Sequence, residues 1–107
     1  MVLDLDETLI YFDLEKESLA LRPYVRNFLR NVCRVWEVVI FTAGLKDYAD
    51  GILTELDPQS KYFTRRFYRD DCVLIDGFYC KDLRKLSAQV DLARVVIVDN
   101  VAANFSI

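Results

Sequence analysis

The sequence predicts one α/β domain with a central parallel sheet flanked by helices. Three short apolar runs, at residues 1–5, 36–41 and 95–98, are each followed by acidic or hydroxyl side chains. Apolar residues between the first two runs, and after the second, recur with helical spacing, so strands and helices alternate. Ligands of parallel sheets bind outside the carboxyl ends of the strands. The polar residues that follow these runs are therefore the first candidates for a functional site.

The first half of the chain predicts two strands separated by one helix. Residues 1–5 form the first strand, and residues 6–22 have no regular pattern. Pro23 suits a helix start, and apolar residues recur at i, i+3, i+4 and i+7 from Val25. Residues 36–41 are dense in β-branched and aromatic side chains and form the second buried strand.

The next segment predicts a helix and a β-hairpin. The helix follows Gly44, has an apolar stripe that includes Tyr48, and stops before Pro58. Residues 63–68 and 72–75 form short strands. The Asp-Gly pair that follows residue 75 is typical of a hairpin turn.

The last segment predicts a third helix over residues 82–89 and a strand over residues 95–98. The uninterrupted β-branched run VVIV indicates a central parallel strand. Lys81 stands at the start of the predicted helix, where a lysine opposes the helix dipole and is slightly unusual.

Composition excludes several kinds of chemistry. The 107 residues are 53% hydrophobic, which is enough for one core, and contain no histidine. Catalytic Ser-His and Cys-His pairs and His-ligated zinc are excluded, so carboxylates must carry any acid–base chemistry. The three cysteines form no C-x-x-C pair and no closed disulfide framework, which favours an intracellular setting. A net charge of −3 predicts no direct nucleic-acid binding, and no run is long enough for a membrane span.

Two carboxylates, Asp4 and Asp6, lie at the end of the first predicted strand. Asp-x-Asp is also common in turns and calcium loops. Asp4, however, lies inside the apolar run, and a buried carboxylate without a partner demands a cation. Mg²⁺ prefers oxygen ligands and takes one or two carboxylates together with substrate phosphate oxygens. Candidate ligands are Asp4, the neighbouring backbone, and Asp99 or Asn100, although the last pair is equally typical of a turn.

A phosphate could bind near this acidic group. Thr42 ends the second strand, where its hydroxyl and the N–H groups of Ala43 and Gly44 can hold an anion, with an ordinary helix cap as the alternative. Lys81 and Arg69 are further candidates, although a single Lys or Arg is more often a solvated surface residue. The convergence of these groups at predicted strand ends favours a site for phosphate and Mg²⁺.

These residues carry a resemblance to the RNA polymerase II C-terminal-domain (CTD) phosphatase family of the haloacid-dehalogenase (HAD) superfamily. This family includes the small CTD phosphatases and the Dullard-like, NLI-interacting-factor-like phosphatases. The matching segments are DLDETL at 4–9, LRP at 21–23, VVIFTAGLKDYAD at 38–50, LDP at 56–58, YRDDCV at 68–73, KDL at 81–83 and VVIVDN at 95–100. The resemblance implies a HAD-like fold without a large cap domain and with a small β-hairpin element.

The resemblance also implies a Mg²⁺-dependent phosphoserine/phosphothreonine phosphatase. Asp4 would be the nucleophile that forms an aspartyl-phosphate, and Asp6 the acid that protonates the leaving oxygen and then activates water. The implied substrate-binding residues are Thr8, Thr42, Ala43, Arg69 and Lys81. The implied Mg²⁺ ligands are Asp4, Asp6, Asp99 and Asn100.

The chain departs from the family pattern at two places. The segment between the first motif and LRP is short, and the chain ends soon after VDN, so we expect a domain shortened at its carboxyl end. The implied partner is a phosphorylated protein segment, such as the polymerase tail, in the nucleus, at the nuclear envelope or in the cytoplasm.

Two other classes remain open on sequence grounds. An inactive HAD-like scaffold is disfavoured because both Asp4 and Asp6 are present. A receiver-type phospho-acceptor domain is disfavoured because the strand that ends at Thr42 lacks the aspartate such a domain needs.

Overall fold

A computed structural model describes residues 1–86 and 91–105. The α-helices are α1 (Val25–Val32) and α2 (Lys46–Leu56). The strands, in chain order, are β1 (Val2–Leu3), β2 (Ile10–Asp13), β3 (Ser18–Leu21), β4 (Val38–Phe41), β5 (Phe63–Phe67), β6 (Cys72–Ile75), β7 (Phe78–Lys81) and β8 (Ile97–Val98).

The centre of the molecule is a parallel four-stranded sheet in the order β5-β4-β1-β8. Val2 of β1 pairs with Val39 of β4 on one side and with Ile97 of β8 on the other. All four residues of β4 are buried, because the strand is covered on both faces. The predicted α/β class with a parallel sheet is confirmed.

Alternation along the strands separates two hydrophobic clusters. Leu3 and Ile40 face the larger cluster, where the buried side chains of α1 and α2 pack on the sheet. Phe41 faces the smaller cluster on the opposite side and stacks on Phe67, with ring centroids 5.1 Å apart. Both predicted amphipathic helices are therefore present, and both pack on the sheet through most of the predicted stripes, although Phe28 of α1 is 40% exposed.

Two antiparallel hairpins project from this core. The predicted hairpin of β6 and β7 is confirmed, and its turn has the left-handed backbone of Asp76 (φ 50°) and Gly77 (φ 82°). The hairpin of β2 and β3 lies in residues 6–22, for which no regular structure was predicted. The Asp13 carboxylate accepts the Glu15 and Lys16 N–H groups at 3.0 and 3.2 Å and so stabilises its connection.

Two predictions near the carboxyl end of the chain need correction. The third helix was placed at residues 82–89, but Leu83–Leu86 is a 3₁₀ turn, and residues 87–89 lie outside the described part. Lys81 therefore does not begin a helix; it is the last residue of β7 and pairs with Cys72.

The last strand is shorter and more peripheral than predicted. Only Ile97 and Val98 of the VVIV run pair with β1, and β8 is an edge strand in the described part of the sheet. Val98 is 38% exposed. Over residues 1–86 and 91–105, no helix has the length and apolar character needed to cross a lipid bilayer.

Candidate active site

Polar side chains gather at the carboxyl ends of β1, β4 and β8, as the sequence predicted. Asp4, Thr42 and Asp99 each come directly after one of these strands. A cavity of about 540 Å³ opens beside them. The sequence-predicted residues that line this cavity are Asp4, Asp6, Thr42, Ala43, Arg69 and Asn100.

Lys81 joins two carboxylates at the floor of the site. Its Nζ donates to Asp4 Oδ1 at 2.7 Å and to Asp99 Oδ2 at 2.6 Å. The exposed fractions of the three side chains are 0% for Lys81, 8% for Asp4 and 3% for Asp99. The lysine neutralises one of the two carboxylates, so the buried group retains one negative charge. A further cation would stabilise this arrangement electrostatically.

The environment of Asp4 opposes its ionisation. Burial raises the pKa of Asp4 above its ordinary value and outweighs the lowering effects of Lys81 and the Thr8 hydroxyl. Thr8 Oγ1 donates to Asp4 Oδ2 at 2.9 Å, so both oxygens of the carboxylate have a donor. Positive charge brought to the site would favour the ionised form that a nucleophile requires.

Asn100 lies beside the same carboxylates. Its amide nitrogen donates to Asp4 Oδ2 at 2.9 Å and to Asp99 Oδ1 at 3.2 Å in the orientation that satisfies both neighbours. Turning the amide by half a rotation presents its oxygen to the same place. The Asn100 side chain can therefore serve either as a donor to the carboxylates or as an oxygen ligand for a cation.

The donor set fits Mg²⁺ better than a softer metal. Nowhere in the described ranges do three His, Cys, Asp or Glu side chains converge on a metal-sized position. The site instead offers two carboxylates, an amide oxygen and neighbouring backbone carbonyls. Mg²⁺ commonly takes one or two carboxylates and keeps water or phosphate oxygens in its other positions.

Asp6 is held by a partner that the sequence analysis did not identify. Tyr48 Oη donates to Asp6 Oδ1 at 2.5 Å. The Asp6 carboxylate thus lies on the α2 side of the cavity. Burial, followed by the bond to Asp6, raises the pKa of Tyr48, so this phenol stays protonated as a donor.

Gly44 allows the Tyr48 ring to approach. A Cβ at position 44 would lie 3.2 Å from Tyr48 Cδ1 and 3.2 Å from Thr42 Oγ1. The sequence analysis placed Tyr48 in the apolar stripe of a helix, where an aromatic residue is usually part of the core. Its position in the first turn of the helix that follows Thr42 was the available signal for a functional role.

Replacing Tyr48 with phenylalanine is expected to lower, roughly tenfold, the kcat of the phosphopeptide hydrolysis that the sequence resemblance implies, the size of one hydrogen bond to a charged group. The unfolding midpoint should barely change, because the ring and its packing on Phe12 remain. Steady-state kinetics with a phosphopeptide test the expectation, and equal activity of the two proteins would contradict it.

The loop after β4 is fixed by its own hydrogen bonds. The Gly44 N–H donates to Thr42 Oγ1 at 3.0 Å, and the Thr42 N–H donates to Phe67 O at 3.0 Å. The expectation that the Gly44 N–H is free to hold an anion is therefore wrong. Thr42 is also not a helix cap, because α2 begins at Lys46 with Leu45 as its N-cap.

Arg69 also stabilises the loop after β4 through two hydrogen bonds. Its Nε donates to Ala43 O at 2.8 Å, and its N–H donates to Gly44 O at 3.0 Å. Its guanidinium lies 4.7 Å from the centroid of the Tyr79 ring. Arg69 thus lines the cavity, and its expected role in substrate binding stays a prediction.

Arg22 is a second residue whose role the sequence analysis did not identify. Its Nε donates to Thr8 O at 2.5 Å, and its Nη2 reaches Glu7 O at 3.3 Å. Glu7 has a left-handed backbone, with φ 61°. Arg22 therefore stabilises the turn that presents the Thr8 hydroxyl to Asp4. Arg22 directly follows β3, and the hairpin of β2 and β3 brings its side chain close to Thr8. No helix or strand pattern in the sequence indicated this hairpin.

The parallel sheet, the carboxylates at its strand ends and the buried lysine define an α/β protein of the HAD-like class. A model of the NLI interacting factor-like phosphatase family matches residues 1–107. The chain belongs to this family. The resemblance to the CTD phosphatases that the sequence indicated is confirmed.

Three characterised relatives illustrate the similarity. CTD small phosphatase-like protein 2 of Dictyostelium discoideum is 40% identical over 98% of this chain and 21% of its own length. Carboxy-terminal domain RNA polymerase II polypeptide A small phosphatase 2 of Homo sapiens is 35% identical over 98% of this chain and 44% of its own. Nuclear envelope morphology protein 1 of Schizosaccharomyces pombe is 32% identical over 99% of this chain and 26% of its own. The chain thus spans less than half of each relative.

A solved structure supports the fold. The structure of Fcp1, an essential RNA polymerase II CTD phosphatase, superimposes with a TM-score of 0.78 over 97% of this chain and 38% of that one. The sequence identity over this match is 23%. The HAD-like arrangement of the sheet is therefore shared although most side chains differ.

Proposed function

We propose that this domain is a Mg²⁺-dependent protein phosphatase that removes phosphate from phosphoserine or phosphothreonine through an aspartyl-phosphate on Asp4. The observation that carries the proposal is the buried group of Asp4, Lys81 and Asp99, of which Asp4 also lines an open cavity. It combines a carboxylate nucleophile with a fixed positive charge, the two requirements of phosphoryl transfer by this route.

The chain's own residues have distinct roles in this proposal. Lys81 and the Thr42 hydroxyl stabilise the oxygens of the transferring phosphoryl group while a carboxylate oxygen of Asp4 attacks phosphorus in line with the leaving oxygen. Thr8 orients the Asp4 carboxylate. Mg²⁺, held by Asp4, Asp99, Asn100 and neighbouring backbone, would supply charge neutralisation for the phosphoryl oxygens.

Asp6 completes the proton balance of the two steps. A serine alkoxide is a poor leaving group, so protonated Asp6 gives its proton to the departing oxygen. The resulting Asp6 carboxylate then takes a proton from the water that attacks the aspartyl-phosphate, which releases phosphate and restores Asp4. Tyr48 keeps the Asp6 side chain at the cavity between these events.

The proposed substrate is a phosphorylated segment of a protein, with the RNA polymerase II tail as one example. The described part of the chain places only two short hairpins around the site, so an extended segment has room to enter. Relatives named for the polymerase tail and for nuclear-envelope morphology support a nuclear or nuclear-envelope location.

The decisive assay is hydrolysis of a generic aryl phosphate by the purified chain, with Mg²⁺ and with excess chelator. We expect turnover with Mg²⁺, a loss of at least roughly a hundredfold with chelator, and recovery when Mg²⁺ is added back. A folded chain that hydrolyses no phosphomonoester under either condition would contradict the proposal and favour an inactive scaffold. Far-ultraviolet circular dichroism of the same sample establishes that the chain is folded.

A further inference from the structure

Resting on the proposed function, we infer that Asn104 is a positioning residue of the metal site, which holds the Asp99 carboxylate in the orientation that binds Mg²⁺. Asn104 lies in the 3₁₀ turn Ala102–Phe105, called the cover turn below, which follows β8. Asn104 contacts no substrate in this assignment and acts on Mg²⁺ only through Asp99.

The Asn104 side chain contacts both oxygens of the Asp99 carboxylate. Its Nδ2 donates to Asp99 Oδ1 at 3.2 Å and to Asp99 Oδ2 at 3.3 Å. Lys81 Nζ donates to Oδ2 at 2.6 Å, and the Val101 N–H donates to Oδ1 at 2.9 Å. The terminal torsion of an aspartate has only broad energy minima, so a donor that both oxygens share restricts its rotation.

The cover turn does not depend on the Asn104 amide for its own structure. The Asn104 backbone N–H donates to Val101 O at 3.2 Å, and the Cys80 thiol of β7 lies 3.9 Å from Ala103 O. Both contacts use the main chain of the turn, which any other residue at position 104 except proline also supplies. The side-chain amide is therefore left for Asp99, a carboxylate that the proposed site uses.

The cover turn also explains why the ion pair is buried beside an edge strand. Val98, the residue before Asp99, is 38% exposed, whereas the Asp99 side chain is 3% exposed. The Phe105 ring centroid lies 5.6 Å from Lys81 Nζ, within the range of a cation–π contact. Because the pair is shielded from water, the hydrogen bonds from Asn104 act in a medium of low dielectric constant, where they are stronger.

A neutral donor suits this position electrostatically. Lys81 neutralises one of the Asp4 and Asp99 carboxylates, so the group keeps one negative charge. A second cationic side chain at position 104 would cancel the charge that attracts Mg²⁺, and a carboxylate there would repel Asp99. An amide supplies hydrogen bonds and changes neither charge. Removing a group that orients a metal ligand in this way typically weakens metal binding by about 10–100-fold.

The test measures Mg²⁺ binding to the purified chain by isothermal titration calorimetry, without substrate. Asn104→Leu keeps the approximate size of the side chain and removes its donors, and Asn104→Ala removes them without adding bulk. We expect the Mg²⁺ dissociation constant of both variants to rise by roughly tenfold or more. The Mg²⁺ concentration that gives half-maximal hydrolysis of aryl phosphate should rise by the same factor.

Asn31→Leu provides the matched control, because Asn31 is an exposed asparagine of α1. This variant should bind Mg²⁺ as the wild type does. Asn104 variants that fold with a lower unfolding midpoint but keep the wild-type dissociation constant would overturn this inference alone, because that result indicates a purely structural role. Failure of both Asn104 variants to fold would overturn it in the same way. Wild-type protein that binds no Mg²⁺ would overturn the proposed Mg²⁺ dependence as well.

Discussion

Replacing Lys81 with methionine is expected to destabilise the domain by about 3–5 kcal/mol in the absence of added metal. Methionine keeps the length of the side chain but removes the charge between Asp4 and Asp99, leaving two buried carboxylates without a cation. Turnover should fall by roughly a thousandfold or more, because a fixed charge on the transferring phosphoryl group is lost. Denaturant unfolding with chelator and steady-state kinetics with Mg²⁺ measure the two effects.

The pH dependence of this variant follows from the sign of the Asp4 shift. Burial already raises the pKa of Asp4, and Lys81 opposes that rise. A carboxylate whose folded pKa lies above its unfolded pKa costs stability at high pH, and the cost disappears as the pH falls and the group takes up a proton. Removing Lys81 raises the folded pKa further, so the stability deficit should narrow from about pH 8 to about pH 5.

Lys46→Met is the matched control for this experiment. Lys46 also pairs with an aspartate, Asp50, but its side chain is 66% exposed. Its removal should leave the unfolding midpoint and the turnover unchanged, because solvent screens such a pair. A Lys81→Met protein as stable and as active as Lys46→Met would contradict the assignment of the buried group.

Replacing Asp4 with asparagine is expected to lower turnover by roughly 10⁴-fold or more, the scale seen when a nucleophile is removed. The amide has almost the same shape as the carboxylate, and Lys81 keeps its bond to Asp99, so the domain should remain folded. Hydrolysis of aryl phosphate with Mg²⁺ measures the loss. A variant that retains more than about a hundredth of the wild-type rate would contradict the role of Asp4.

The Asp6→Asn variant distinguishes the role of Asp6 from that of Asp4. An aryl oxide leaves without a proton more readily than a serine alkoxide does, so loss of a general acid should reduce phosphopeptide hydrolysis more than aryl phosphate hydrolysis. Asp4→Asn should reduce both equally. A uniform loss in Asp6→Asn would contradict the acid role of Asp6 in leaving-group departure.

The strand ends of the site could be predicted because apolar runs that stop at acidic or hydroxyl residues give a strong local signal. Asp4 lies near the end of the first such run, Thr42 and Asp99 directly follow the other two, and their common location follows from the parallel sheet. The chemistry of the site could thus be predicted from the residue types and their order along the chain.

Residues placed by tertiary contacts were harder to predict. Lys81 was placed at the start of a helix predicted over residues 82–89, whereas its position depends on pairing with Cys72 nine residues earlier. Tyr48 looked like an ordinary core aromatic, and only its approach to Gly44 and Asp6 reveals another role. Neither the pairing of Lys81 nor the contacts of Tyr48 can be recognised from the local sequence pattern.

The order of strands in the sheet likewise could not be predicted from the local sequence pattern. The VVIV run predicted a central strand, because such runs are typical of burial on both faces. Which strand neighbours which depends on the whole topology, and the described sheet places β8 at an edge. The hairpin of β2 and β3 was missed because the charged residues between its strands interrupt the alternation.

The central claim is that Asp4 receives the phosphoryl group, and acid quenching during turnover tests it most directly. The quenched protein is digested, and its peptides are analysed by mass spectrometry for the mass of one added phosphoryl group. The proposed mechanism predicts the added mass on Asp4, its removal by hydroxylamine as expected of an acyl phosphate, and its absence from Asp4→Asn. Turnover that proceeds with the phosphoryl group on another residue, and never on Asp4, would contradict the mechanism.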